Sequence, residues 1–137
     1  MTYDNINPVL LEKLPELARE FEEEHDYWEG EKVPSHILYE KVLNHSGFMA
    51  NLLLQDCDTM LIERVFDFFE EMANCDDEEV RNLLQVTILE YLWSDYEMLS
   101  CAHKYMHART RKICDEIQAY FRPFTDEEKK TKKRVKH

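Results

Sequence analysis

Between residues 58 and 93 apolar side chains recur at intervals of three and four. Leu61, Ile62, Val65, Phe66, Phe68, Phe69 and Met72 form one series; Val80, Leu83, Leu84, Thr87, Ile88 and Tyr91 form a second. That spacing keeps one face of a 3.6-residue helix apolar. Between the series lies a short acidic stretch. It predicts a tight turn in which Asp76 caps the second helix and Glu79, three residues on, completes a capping-box-like pair. Asp77 and Glu78 add negative charge where the helix dipole favours it. The pattern is an antiparallel helix hairpin, the unit of HEAT-type repeats.

The remaining chain extends the pattern. Asn7-Pro8 predicts a helix start, with Asn as cap and Pro in the first turn. Leu10, Leu14, Leu17 and Phe21 then share a face, and Pro15 is the expected kink because it removes a backbone donor. This helix runs out near Asp26. Gly30 and Pro34 bracket a loop, and Ser35 is the expected cap of a helix carrying Ile37, Leu38, Val42 and Leu43. Gly47 marks a break or a continuation through Phe48, Met49, Leu52 and Leu53. Ser94-Asp95 starts a further helix with Met98, Leu99 and Ala102. The chain turns around His107 into a last helix with Ile113, Ile117, Tyr120 and Phe121, ended by Pro123. Short intervals between helices imply antiparallel neighbours.

With only 2 Gly and 4 Pro in 137 residues, a turn-rich β-sandwich or barrel is disfavoured. The expected fold is all-α, an irregular HEAT-like stack of six or seven antiparallel helices. It forms one domain over residues 1–124, followed by a charged, disordered tail over 125–137.

Charge sharpens this division. The chain carries −12, but residues 129–137 hold six Lys or Arg and no acid, so residues 1–124, with 26 acidic and 11 basic residues, carry −15. A field of that sign repels nucleic-acid backbone and speeds encounter with basic partners. It also serves solubility. The N-terminus lacks the charged start and apolar run of a signal peptide. No apolar stretch approaches the roughly 20 residues needed to span a bilayer. A cytoplasmic protein without membrane insertion is expected, with Cys57, Cys75, Cys101 and Cys114 in a reducing compartment.

Candidate chemistry is sparse. Glu20, Glu22, Glu23, Glu24, Asp26, Glu29 and Glu31 form the densest charge, with Tyr27 and Trp28 in their midst. Carboxylates pair with Arg and Lys, and Trp and Tyr are enriched at binding hot spots. Glu22, Glu23, Glu24, Asp26, Tyr27 and Trp28 are therefore the candidate partner-binding residues. The competing reading is a solvated helix end with Trp28 folded onto the core. His103 and His107 stand at i, i+4 near Cys101, a spacing that suits a metal, but no further ligand or H-E-x-x-H pattern accompanies them. No cysteine pair has C-x-x-C spacing. Neither Cys75 nor Cys114 has a His or Lys base at readable spacing. Carboxylate pairs such as Glu70-Glu71 are common on helix surfaces. No catalytic residue, metal or cofactor is expected.

The blocks LLEKLPEL, PSHILYEKVLN, LIERVFDFFEEMA and DDEEVRNLLQVTILEYL, in that order over residues 9–121, resemble an uncharacterised family of small, acidic, all-helical bacterial proteins, a domain of unknown function. The last block, with Val80-Arg81-Asn82, Gln85-Val86-Thr87 and Glu90-Tyr91-Leu92, is the most specific. The basic tail departs from the family's pattern. The resemblance implies no catalytic residues. By analogy of size, charge and scaffold, such proteins resemble immunity proteins, which neutralise a cognate toxin. The expectation is a non-enzymatic interaction module whose partner is a basic protein, such as a toxin domain. The alternative is a regulatory scaffold whose basic tail binds nucleic acid or another anionic surface.

Overall fold

Helix α1 (Ile6–Lys13) begins two residues before the expected start. Asn7 is not its cap. Asn5 holds that position, and its side chain accepts from the Thr2 amide at 2.8 Å. Asn7 lies inside the helix, buried, and its Nδ2 donates to the Val33 carbonyl at 2.8 Å. That bond ties α1 to the loop before the third helix, a use that a capping position would not allow. The computed structural model describes residues 1–56, 58–117, 124–127 and 129, with the side chain of Asp56 excepted.

Pro15 does interrupt the first helical stretch. Leu14, immediately before it, sits at φ −130°, ψ 70°, because a residue preceding proline is pushed out of the helical region. A single 3₁₀ turn, Pro15–Leu17, then leads into Ala18–Tyr27, and together they form α2 (15–27). α3 (35–45) is helical from Ser35 to Tyr39 and π-helical from Glu40 to His45. Its cap position is Pro34, not Ser35. Pro34 is extended at φ −57°, ψ 135°, and Ser35 is already within the helix and buried.

Gly47 breaks the chain by taking φ +87°, a left-handed conformation open to glycine. Beyond it α4 (48–56) again changes from α-helix to π-helix, at Leu52. Asp58 caps α5 (Thr59–Ala73) through the Leu61 amide at 3.2 Å.

The cap of α6 (78–92) is Asp77, one residue beyond the expected Asp76. Its Oδ1 accepts from the Glu79 amide at 3.0 Å and its Oδ2 from the Tyr3 amide at 2.8 Å. Asp77 thus serves two strands of backbone at once. Those two amides, the Tyr3 one foremost, hold its carboxyl below the usual aspartate range. Asp95 caps α7 (Tyr96–His103) through Met98 at 2.9 Å, as the Ser94-Asp95 start predicts. The chain then turns at His107 into α8 (Ala108–Ile117).

No strand occurs among the described residues, and the fold is all-α. None of their helices is long and apolar enough to cross a membrane. The expected roles of Tyr120, Phe121 and Pro123, and the tail beyond Lys129, lie outside the described residues. Phe124 stacks on Trp93 with centroids 6.0 Å apart and meets Tyr96 edge-on at 5.3 Å. Lys129 lies over the Tyr96 ring.

α5 is the central element, packed against α1, α6 and α8. Phe66, Phe69, Leu84 and Ile88 are fully buried. Phe66 and Phe69 meet edge-on at 5.2 Å, a favoured aromatic geometry. Beyond Leu17, which is buried in the core, α2 lies at its edge and packs on α3; none of the residues from Ala18 to Tyr27 is buried. Arg64 on α5 holds Glu16 at the start of α2 through two parallel bonds of 2.7 and 2.6 Å.

Within α6, residues Leu84–Leu89 are π-helical. A π-turn carries an extra residue and upsets the regular carbonyl ladder. Here the Thr87 carbonyl accepts from the buried Asn44 side chain at 2.9 Å. Asn44 itself sits in the π-helical part of α3, so two irregular segments meet. The Thr87 hydroxyl is shared with His36 Nδ1 at 2.8 Å. Periodicity alone cannot reveal this exchange, because a π-turn leaves the apolar series almost intact.

Candidate functional site

The acidic end of α2 assembles from local rules. Its residues alternate charge with few apolar anchors, so beyond the buried Leu17 the segment rests on the protein through Phe21 and Trp28, both half-buried. Phe21 stacks on His25 at 4.3 Å, and His25 Nδ1 is 2.9 Å from the Phe21 carbonyl. Trp28 folds back toward the core, and its indole N–H donates to Glu24 Oε2 at 3.0 Å. Glu24 therefore acts as a brace for Trp28. Glu23 forms an i, i+4 pair with Arg19 at 3.3 Å, an exposed contact worth about 0.3–0.5 kcal/mol. The side chains of Glu22 and Asp26 have no partner among the described residues.

Past Trp28 the backbone reverses. Glu29 takes φ +49° and Gly30 φ +86°. Left-handed backbone costs a residue with a Cβ roughly 1–2 kcal/mol, and Glu29 is the one non-glycine residue that takes it among the described residues. The turn brings Glu29 and Glu31 beside Asp26, Tyr27 and Trp28, and these five line one shallow, open depression. Tyr27 stands at its edge, 79% exposed. Of the six expected binding residues, Asp26, Tyr27 and Trp28 share this depression, while Glu22, Glu23 and Glu24 lie along the helix leading to it. Glu29 and Glu31 join the site through the left-handed turn, which Gly30 signals in the sequence.

The other candidate clusters separate. His103 ends α7, and His107 lies beyond it, so the i, i+4 pair does not share a helix. His107 Nε2 is 2.8 Å from Asp67 Oδ1. His103 Nε2 is 3.7 Å from the Cys114 thiol. This neighbour of Cys114 is eleven residues away in sequence and on another helix, so no local spacing pairs the two. The pair does not make an activated nucleophile. Burial pushes the Cys114 thiol up to about 11, and burial with the nearby Arg111 lowers His103. A thiol so placed stays protonated at neutral pH. Among the described residues no three His, Cys, Asp or Glu gather as a metal site would require.

Glu70 and Glu71 are also spoken for. Glu71 pairs with Lys13 at 3.1 Å. Glu70 accepts from the backbone of Arg109 and Thr110, from the Thr110 hydroxyl, and from Asn74. It caps α8 from another helix.

No curated protein and no solved structure matches the chain. Residues 7–122 match the family described as Domain of unknown function (DUF7674), and the chain belongs to that family.

Proposed function

We propose that this protein is a non-enzymatic interaction module of the cytoplasm that captures a basic protein on the acidic end of α2. The observation that carries this reading is Tyr27, a large aromatic side chain left 79% exposed amid Asp26, Glu29 and Glu31. An exposed tyrosine at a helix end supplies contact area at little entropic cost, and the carboxylates around it supply partners for Arg and Lys. Trp28, braced by Glu24, forms the apolar floor. The mechanism is steric and electrostatic. The acidic face draws in a cationic surface and covers it, as an immunity protein would cover the positive groove of a toxin domain.

The test begins with a pull-down from the native host to identify the partner, followed by association kinetics. The on-rate should fall steeply with salt while the off-rate changes less. Replacing Glu22, Glu23, Glu24 and Asp26 by neutral residues should slow association without unfolding the protein, since none of them is buried. Deleting residues 125–137 should leave binding intact or improve it, because that segment shares the partner's sign of charge. If the deletion abolishes binding to nucleic acid or an anionic surface while the acidic replacements do nothing, a scaffold acting through its basic tail replaces this reading.

A further inference from the structure

On a body carrying −15, cations should be drawn to carboxylates. Lys13, Arg19, Arg64 and Arg111 obey, each in an ion pair. Arg109 and Lys112, both exposed on α8, pair with no carboxylate among the described residues. They converge with Arg81 of α6 on one concavity of about 200 Å³, completed by Gln85, Ile113 and Glu116.

The Arg81 side chain and the Arg109 backbone are each held by an independent bond. The Arg81 guanidinium donates to the Cys75 carbonyl, which anchors it at the hairpin turn, where its charge also reaches the Asp77 carboxylate. The Arg109 amide is held by Glu70 Oε2 at 3.1 Å, so the first turn of α8 is fixed relative to α5. Among the side chains that line the concavity, three positive groups meet one negative one, Glu116. A monovalent carboxylate would leave that excess unbalanced; a divalent oxyanion matches it. Guanidinium forks bind such oxyanions through two parallel hydrogen bonds, and an ammonium adds a mobile third contact. The volume suits a phosphoryl group with a small organic part, and is below that of pockets for larger ligands. Ile113, half-buried, adds a narrow apolar edge for the organic part, and Gln85 offers a donor and an acceptor.

We infer that the groove between α6 and α8 binds the phosphoryl dianion of a small phosphate monoester, through Arg81, Arg109 and Lys112. This site lies on different elements from the acidic end of α2 and does not depend on what binds there.

The experiment is a titration of the full chain, followed by the arginine side-chain N–H signals in a ¹H–¹⁵N spectrum. Phenyl phosphate, inorganic phosphate, acetate and chloride are each added at matched ionic strength. Phenyl phosphate should produce saturable shifts at Arg81 and Arg109, with inorganic phosphate weaker because it makes no use of Ile113. Affinity should fall as pH drops through the phosphate's second ionisation, near pH 6. R109Q and K112Q should each weaken binding about tenfold or more. Both side chains are exposed, so unchanged thermal melting of the variants separates a binding loss from a folding loss. K41Q, at an exposed residue on α3, should bind as the parent does. Inorganic phosphate binding as tightly as the ester would overturn the monoester assignment. Equal shifts from acetate or chloride, or full binding by R109Q and K112Q, would overturn the site.

Discussion

Glu70 and Thr110, forty residues apart, are joined twice through one oxygen: Glu70 Oε1 accepts from the Thr110 backbone N–H and from its hydroxyl, each at 2.9 Å. The carboxylate does for α8 what a cap from its own chain segment does for α5, α6 and α7. Burial alone would raise the Glu70 carboxyl, but the bonds from Thr110, Asn74 and Arg109 outweigh it and hold the group below the usual glutamate range.

Glu70→Ala should therefore destabilise the protein by about 1–2 kcal/mol, the range for a lost helix cap. Because the folded-state value is the lower one, the carboxylate's contribution is complete above the unfolded value, near pH 4.3, and is lost as pH falls through the folded one. The gap between parent and variant in urea unfolding should be full at pH 7 and narrow below about pH 4. A gap that is constant with pH would remove the ionised carboxylate from this role.

Phe66→Ala or Phe69→Ala should cost about 3–5 kcal/mol. Both rings are fully buried at the centre of α5 and touch each other edge-on. Chemical denaturation measures the loss. A variant melting within a degree or two of the parent would contradict the packing.

The Cys114 thiol should resist alkylation in the folded protein. It is buried, and its ionisation is pushed up to about 11, so the reactive thiolate is scarce at pH 8. Peptide mapping after brief iodoacetamide treatment should find Cys114 unmodified in the folded chain and modified after denaturation. Rapid labelling without denaturation would return the Cys114–His103 contact to consideration as a reactive pair.

Purified, untagged protein should contain no stoichiometric zinc. His107 is engaged with Asp67, and His103 with Cys114; neither arrangement brings together a set of three or four ligands. Elemental analysis finding about one equivalent would overturn this, and His103 and His107 would be the first ligands to replace.

The helices and their core were legible because burial imposes a period. Phe66, Phe69, Leu84 and Ile88 had to share an interface once the three-four spacing was seen. Caps were legible only to within a residue or two. Asn7, Ser35 and Asp76 each have capping chemistry, but the position goes to the residue whose backbone can leave the helix while other bonds are met. Asp77 wins over Asp76 because it alone reaches both Tyr3 and Glu79. For the acidic site, composition located the charge and the left-handed turn at Glu29 decided which residues meet. The cationic groove was hidden for a plain reason. Arg81 lies about thirty residues from Arg109 and Lys112, and no local pattern records a meeting across that separation.

The π-helical segment Leu84–Leu89 gives α6 one residue of slack. Deleting a single position there would let the helix rewind as a plain α-helix, with Val80 and Leu92 still facing inward. The loss would fall on Asn44, whose amide would be left in the core without the Thr87 carbonyl. Family members with a shortened α6 should therefore carry an apolar residue at position 44. Members that keep Asn44 should keep the longer helix. Two sites more than forty residues apart would then vary as a unit, linking an indel to a substitution.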